Sequence, residues 1–253
     1  MPTAEFGDQL VNWRAEGDAP ILYIHGVPNS SQMWAPFLEV TGGIAVDLPG
    51  FGRSGKRGDL DFSFEGLGRF VGEFADHVGL DRVRLCMHDW GSVGLLWAMR
   101  EPERVERIVL IDAVTFLPGY HWHFFARQWR RRGTGELSMG FTNRVVAKRL
   151  LPEAMVDEVM GAFDQGTQRA ILRLYRSAPE DALARAGEDL GRLRCPALVV
   201  WGSEDPYISP DFASAYADAL GGPAEIEIAQ SAGHWPWYDR PELVSKVTSF
   251  LVR

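Results

Sequence analysis

The chain has only two cysteines, Cys86 and Cys195, in 253 residues. Neither has metal-ligand spacing, and both lie in or beside apolar strand-like runs, so they read as buried free thiols. No apolar run approaches the roughly 18 residues that a membrane span needs. The opening MPTAEFGDQL has neither the basic nor the apolar region of a secretory signal, so a cytoplasmic protein with no membrane partner is expected. Positive charge is also scarce. A net charge of −8 excludes the concentrated basic surface that a nucleic-acid partner requires. The one basic region is Arg127, Arg130, Arg131 and Arg132 with Arg144, Lys148 and Arg149, which reads as a solvated helical face. His, Asp and Glu show no metal-ligand spacing, so no metal and no cofactor are expected.

What is present is an alternation of short apolar runs and helical patterns, the signature of a parallel sheet wrapped by helices. Strands are predicted at 21–24, 43–48, 83–87, 105–111, 196–201 and 224–228. Apolar residues at Leu67, Phe70, Val71, Phe74 and Val78 predict a helix over 64–78. Further helices are predicted over 91–99 and 243–251. Between Ala113 and about Leu193 the strand pattern disappears. The expected fold is therefore α/β, a mostly parallel central sheet flanked by helices, with residues 1–113 and 193–253 as the core and 114–192 as an inserted helical cap. A chain of this length suits one such core.

The stretch Cys86-Met87-His88-Asp89-Trp90-Gly91-Ser92 places an aspartate at a strand-to-helix turn. A serine there would attack carbonyl carbon and leave an acyl-enzyme. A carboxylate suits a saturated electrophilic carbon instead, because the product is an ester that activated water can cleave. That points to an epoxide or an alkyl halide. A lone Asp in such a turn can also be a helix N-cap.

Three other segments fall at the C-terminal ends of predicted strands, where ligands bind in such sheets. They are His25-Gly26-Val27-Pro28, Trp201-Gly202-Ser203-Glu204-Asp205-Pro206 and Ala232-Gly233-His234-Trp235-Pro236. In the chain order nucleophile, acid, histidine, the set resembles the α/β-hydrolase superfamily. His88-Asp89-Trp90-Gly91 resembles the nucleophile turn of its epoxide hydrolases and haloalkane dehalogenases. The residue two before the nucleophile is usually small in that family, and here it is Met87.

The resemblance implies that Asp89 forms an alkyl-enzyme ester, that His234 activates the water cleaving it, and that Asp205 orients the imidazole. Asp112, after the strand preceding the cap, is the alternative acid, and Glu204 a weaker one. The N–H groups of Val27 and Trp90 would form the oxyanion hole. His25 and His88 are expected as supports, and His121 and His123 have no assigned role.

The same resemblance implies two substrate classes. Epoxide opening benefits from a hydroxyl donor in the cap, and Leu174-Tyr175-Arg176 occupies the comparable place, with Tyr120 as a second donor. Halide release needs fixed N–H donors. Trp90 supplies one in either class, and the position after His25-Gly26, often Asn in dehalogenases, is Val27. Asn29, Trp122 and Trp129 are possible substitutes, and Trp235 is a further substrate contact. The expectation is an epoxide hydrolase acting on a small hydrophobic substrate as a monomer or homodimer, with a haloalkane dehalogenase as alternative and a non-catalytic ligand-binding protein as a remote one. Phe116, Leu117, Trp122, Phe124, Phe125 and Trp129 are the expected apolar wall.

Overall fold

The computed structural model describes residues 2–6 and 9–253. Its eight strands are β1 (Thr3–Phe6), β2 (Gln9–Glu16), β3 (Ile21–Ile24), β4 (Gly43–Val46), β5 (Val83–His88), β6 (Val105–Ile111), β7 (Ala197–Gly202) and β8 (Ala224–Ala229). They form one sheet in the order β1-β2-β4-β3-β5-β6-β7-β8. From β4 to β8 all neighbours are parallel, while β1 and β2 join antiparallel at one edge.

The parallel strands read as continuous apolar runs because both faces of the sheet are covered. Leu22, Ile24, Leu85, Met87, Leu110 and Val199 face one hydrophobic cluster. Their alternates Ile21, Tyr23, Cys86, Val109, Leu198 and Val200 face the other. The helices of the core are α1 (Ala35–Thr41), α2 (Phe64–His77), α3 (Gly94–Ala98), α10 (Asp211–Ala219), α11 (Pro236–Asp239) and α12 (Glu242–Val252). Ser63 caps α2 by accepting the Gly66 N–H, and the buried face Leu67, Phe70, Val71 and Phe74 is the one its spacing predicts.

Between β6 and β7 the described chain forms only helices: α4 (Phe124–Arg130), α5 (Thr134–Phe141), α6 (Arg144–Leu150), α7 (Glu153–Ala162), α8 (Gln165–Ser177), α9 (Glu180–Ala186) and one 3-10 turn. Asp164 caps α8 at the Thr167 N–H. This helix is stitched to the core through the Thr167 hydroxyl on Gly50 O, Arg169 on Lys56 O and Arg173 on Gly58 O.

Three expectations need correction. The strands β1 and β2 went unanticipated. The helix expected over 91–99 begins as a 3-10 turn over Asp89–Val93 and becomes α-helical only at Gly94. Arg130 does not lie on a solvated face; it is half-buried, and its guanidinium donates to the carbonyls of Tyr175 and Ala178 at the C-terminal end of α8. Among the described residues no helix is long and apolar enough to cross a membrane.

Candidate active site

The sheet reverses its direction of winding between β3 and β5, and the loops leaving these adjacent strands diverge to open a crevice. Val27 follows β3 and Asp89 follows β5, so the topology sets them face to face. Asp89 has φ 50°, a left-handed conformation that non-glycine residues adopt at a cost and that lifts its side chain out of the strand end. Close packing leaves no room for side chains around it. A Cβ on Gly91 would fall 2.1 Å from Ile24 O, and one on Gly26 would fall 2.4 Å from Asp89 Oδ2. Met87 fits, despite its bulk, because its Sδ lies over Gly94, where a Cβ would come within 2.8 Å.

The Val27 N–H donates to Asp89 Oδ2 at 2.8 Å, and the Trp90 N–H also bonds the carboxylate. Burial raises the Asp89 pKa to about 6 against the opposing pull of His234 and these amides. His234 Nε2 lies 3.8 Å from Asp89 Oδ1. On its other side, His234 Nδ1 hydrogen-bonds Asp205 Oδ2 at 2.8 Å, while Asp205 Oδ1 accepts the N–H groups of Tyr207 and Ile208. Burial would lower the His234 pKa, but the charge of Asp205, the hydrogen bond to it and the charge of Asp89 outweigh burial and raise it. Asp205 itself is held below the usual carboxylate range, because His234 and the two amides overcome its burial.

Two further histidines brace this line. Burial and the neighbouring His234 keep His88 neutral, and its Nε2 donates to His234 O at 2.8 Å. His25 accepts the Leu48 N–H at Nε2 and bonds Gly26 O through Nδ1, which fixes the loop carrying Val27. Asp112, the alternative acid, is fully buried behind Asp205, and its Oδ1 accepts the Gly202 N–H.

Above Asp89 and His234 lies a cavity of about 90 Å³. Its floor includes Val27, Tyr207 and Trp235, and its walls come from the helical segment, with Tyr120, Trp122, Phe125, Trp129, Met139 and Tyr175 among them. The hydroxyl of Tyr120 is buried without a partner. Burial raises the pKa values of both Tyr120 and Tyr175, so each keeps its proton and can donate it. Tyr175 stands edge-on to Trp90, which in turn stacks on Trp122.

The other expected contacts are distributed unevenly. Asn29 and Trp90 are buried but are not among the residues lining the cavity. Trp122 and Trp129 line it, yet their indole N–H groups are engaged by Ala178 O and Ser138 Oγ. Phe116 packs in the core, Leu117 packs against it, and Phe124 is exposed, so none of the three forms the wall. Sequence reasoning left His123 without a role and did not single out Tyr207, although both line the cavity. His123 stands at the start of α4, where its Nδ1 accepts the Ala126 N–H. The only sequence signal for Tyr207 was its position two residues after Asp205.

Residues 21–247 match the model of the alpha/beta hydrolase family. A haloalkane dehalogenase of Mycolicibacterium paratuberculosis is 30% identical over 91% of this chain and 83% of its own length. One from Agrobacterium fabrum is 27% identical over 96% and 88%. The solved structure of an ancestral haloalkane dehalogenase superposes with a TM-score of 0.85 at 24% identity, covering 100% of this chain and 98% of that one. With the turn at Asp89 opposite Val27, and with this agreement over nearly the whole chain, the protein belongs to the α/β-hydrolase family as a hydrolase of its haloalkane-dehalogenase-like branch.

Proposed function

We propose that the protein hydrolyses small hydrophobic epoxides to diols through an ester on Asp89. The observation that carries this reading is the pair of neutral tyrosines, Tyr120 and Tyr175, on the cavity that also contains Asp89. Opening an epoxide localises negative charge on oxygen, and a positioned hydroxyl that passes its proton there lowers the barrier.

In the first step Asp89 Oδ1 attacks an epoxide carbon, the C–O bond breaks, and the departing oxygen takes a tyrosine proton. In the second, His234 Nε2 removes a proton from water as the water oxygen adds to Asp89 Cγ. The oxyanion then develops on Oδ2, where the Val27 N–H already points. Such a donor is worth about 3–4 kcal/mol of transition-state stabilisation. Collapse expels the diol oxygen, which takes the proton held by His234, and the proton left on the Asp89 carboxyl returns to the tyrosine.

A haloalkane dehalogenase is the second reading, favoured by the names of the relatives and by the indole N–H of Trp235, which lines the cavity and has no partner among the described residues. The Trp90 side chain, next to Asp89 in sequence, engages the Tyr175 hydroxyl. Against it, the position after His25-Gly26 is Val27, whose side chain offers no donor to a halide.

The deciding experiment mixes a His234→Gln variant, able to form the ester but not to cleave it, with styrene oxide and separately with 1-bromobutane. Mass spectrometry of the Asp89 peptide should show an adduct of the whole epoxide mass. A butyl adduct from the bromide alone would transfer the assignment to dehalogenation. No adduct from either would remove Asp89 as the nucleophile.

A further inference from the structure

Asp112 leaves β6 with φ 42°, and its side chain lies behind the triad acid, fully buried. Its Oδ1 is provided for by the Gly202 N–H at 2.9 Å, but no group among the described residues donates to its buried Oδ2. Ligand atoms of Asp112, Asp205 and His234 all lie within 4.8 Å of one another. Asp205 is differently placed, since its two oxygens already receive three donors: Tyr207 N–H, Ile208 N–H and His234. The charges that weigh most on Asp112 are Asp205 and Asp89, both acidic, and the His234 imidazole, within 4.8 Å, is the neighbouring group that can carry positive charge. An ionised Asp112 would therefore be a desolvated charge beside a like charge, with one oxygen unsatisfied. A protonated one would turn that same oxygen into a donor.

We propose that Asp112 carries a proton at neutral pH and donates it from Oδ2 to the Asp205 carboxylate, which makes Asp112 a positioning residue for the Asp205–His234 pair. Burial, the Asp205 charge and the hydrogen bond to Asp205 together hold its carboxyl well above the usual range, against the pull of the Gly202 N–H. Two carboxyl groups thus present a single negative charge to His234. A second charge would bind the imidazole proton more tightly and hold the base in its inactive form to higher pH. The effect on turnover rests on the proposed roles of Asp89, His234 and Asp205; the proton on Asp112 does not.

The test has two independent arms. In difference infrared spectra at mildly alkaline pH, taken in an Asp89→Asn background, a protonated-carboxyl band should be present and should vanish when Asp112→Asn is added. Absence of the band would overturn the proposal whatever the enzyme acts on. The second arm compares pH–rate profiles of ester hydrolysis. Asn at 112 retains the acceptor for Gly202, tolerates a left-handed backbone and offers Asp205 an N–H. Asp112→Asn should therefore leave the acid limb in place and recover rate lost in Asp112→Leu. A downward shift of the limb by about one pH unit or more would show that a real charge had been removed, and would equally overturn the proposal. If neither substrate class is turned over, the proposed function fails and the infrared arm still decides the proton.

Discussion

Val27 and Asp89 meet through a 2.8 Å hydrogen bond in which the backbone N–H of one donates to Oδ2 of the other. The proposed oxyanion donor is thus engaged by the carboxylate of the proposed nucleophile before any substrate arrives. In the proposed mechanism this leaves Oδ1, on the His234 side, as the attacking atom and makes Oδ2 the oxygen that bears charge when water adds.

Water attack at Cγ has an isotopic signature. A single turnover in ¹⁸O-labelled water should place the label in the Asp89 carboxylate, with the first diol released unlabelled. Label in the first diol would mean that water attacks the substrate directly.

Gly26 sets the distance between the Val27 loop and Asp89. Gly26→Ala would bring a methyl group to 2.4 Å from Asp89 Oδ2 and must displace one of the two. The loss of one oxyanion donor should lower the ester-hydrolysis rate by about 10²–10³. Stopped-flow measurement of ester decay checks this, and a rate within a few-fold of the parent would contradict the tight fit.

Asp89 should limit both activity and stability. Its pKa of about 6 in the fold lies above the roughly 3.9 of an unfolded chain. Between those values the native state binds more protons at Asp89, so the contribution of this group is fully present below about 4 and is lost as pH rises through about 6, by roughly 3 kcal/mol. Asp89→Asn should abolish turnover and melt above the parent at about pH 8, with the difference closing near pH 4. Since attack needs the ionised form, kcat/KM should rise with pH and reach half its plateau near 6.

The two tyrosines separate the substrate classes. Tyr175→Phe and Tyr120→Phe should each lower epoxide opening by about 10- to 100-fold, less than the roughly 10²–10⁴ of a lone general acid because the other hydroxyl remains. Any bromide turnover should change little, because halide departure takes no proton. Equal losses on both substrates would assign the hydroxyls a packing role instead.

The parallel strands were legible because each is buried on both faces and bounded by turn residues. In β6 the predicted limits, Val105 and Ile111, coincide with the observed ones. The antiparallel β1 and β2 were not, since their edge position leaves Leu10 exposed beside buried Val11 in a polar stretch. The turn at Asp89 could be read from Gly91, yet the compensation of Met87 by Gly94 belongs to two elements and has no local pattern. Asp205 and Asp112 could both be named from strand ends. Their different surroundings, three donors against one, depend on the loops that converge on them. The cavity wall was the least legible part: Trp122, Phe124 and Trp129 look equivalent in sequence, and only helix packing sends one outward and ties the indoles of the other two.

The proposed nucleophile, base and acid are each held by a loop leaving the sheet, whereas the proposed proton donors Tyr120 and Tyr175 and most of the cavity wall come from the single stretch between β6 and β7. Ester chemistry is therefore encoded apart from proton donation and selectivity. Drift or recombination within that one stretch can reshape the space offered to a substrate while the reacting carboxylate keeps its neighbours, so a lineage can exchange diets without reinventing its digestion.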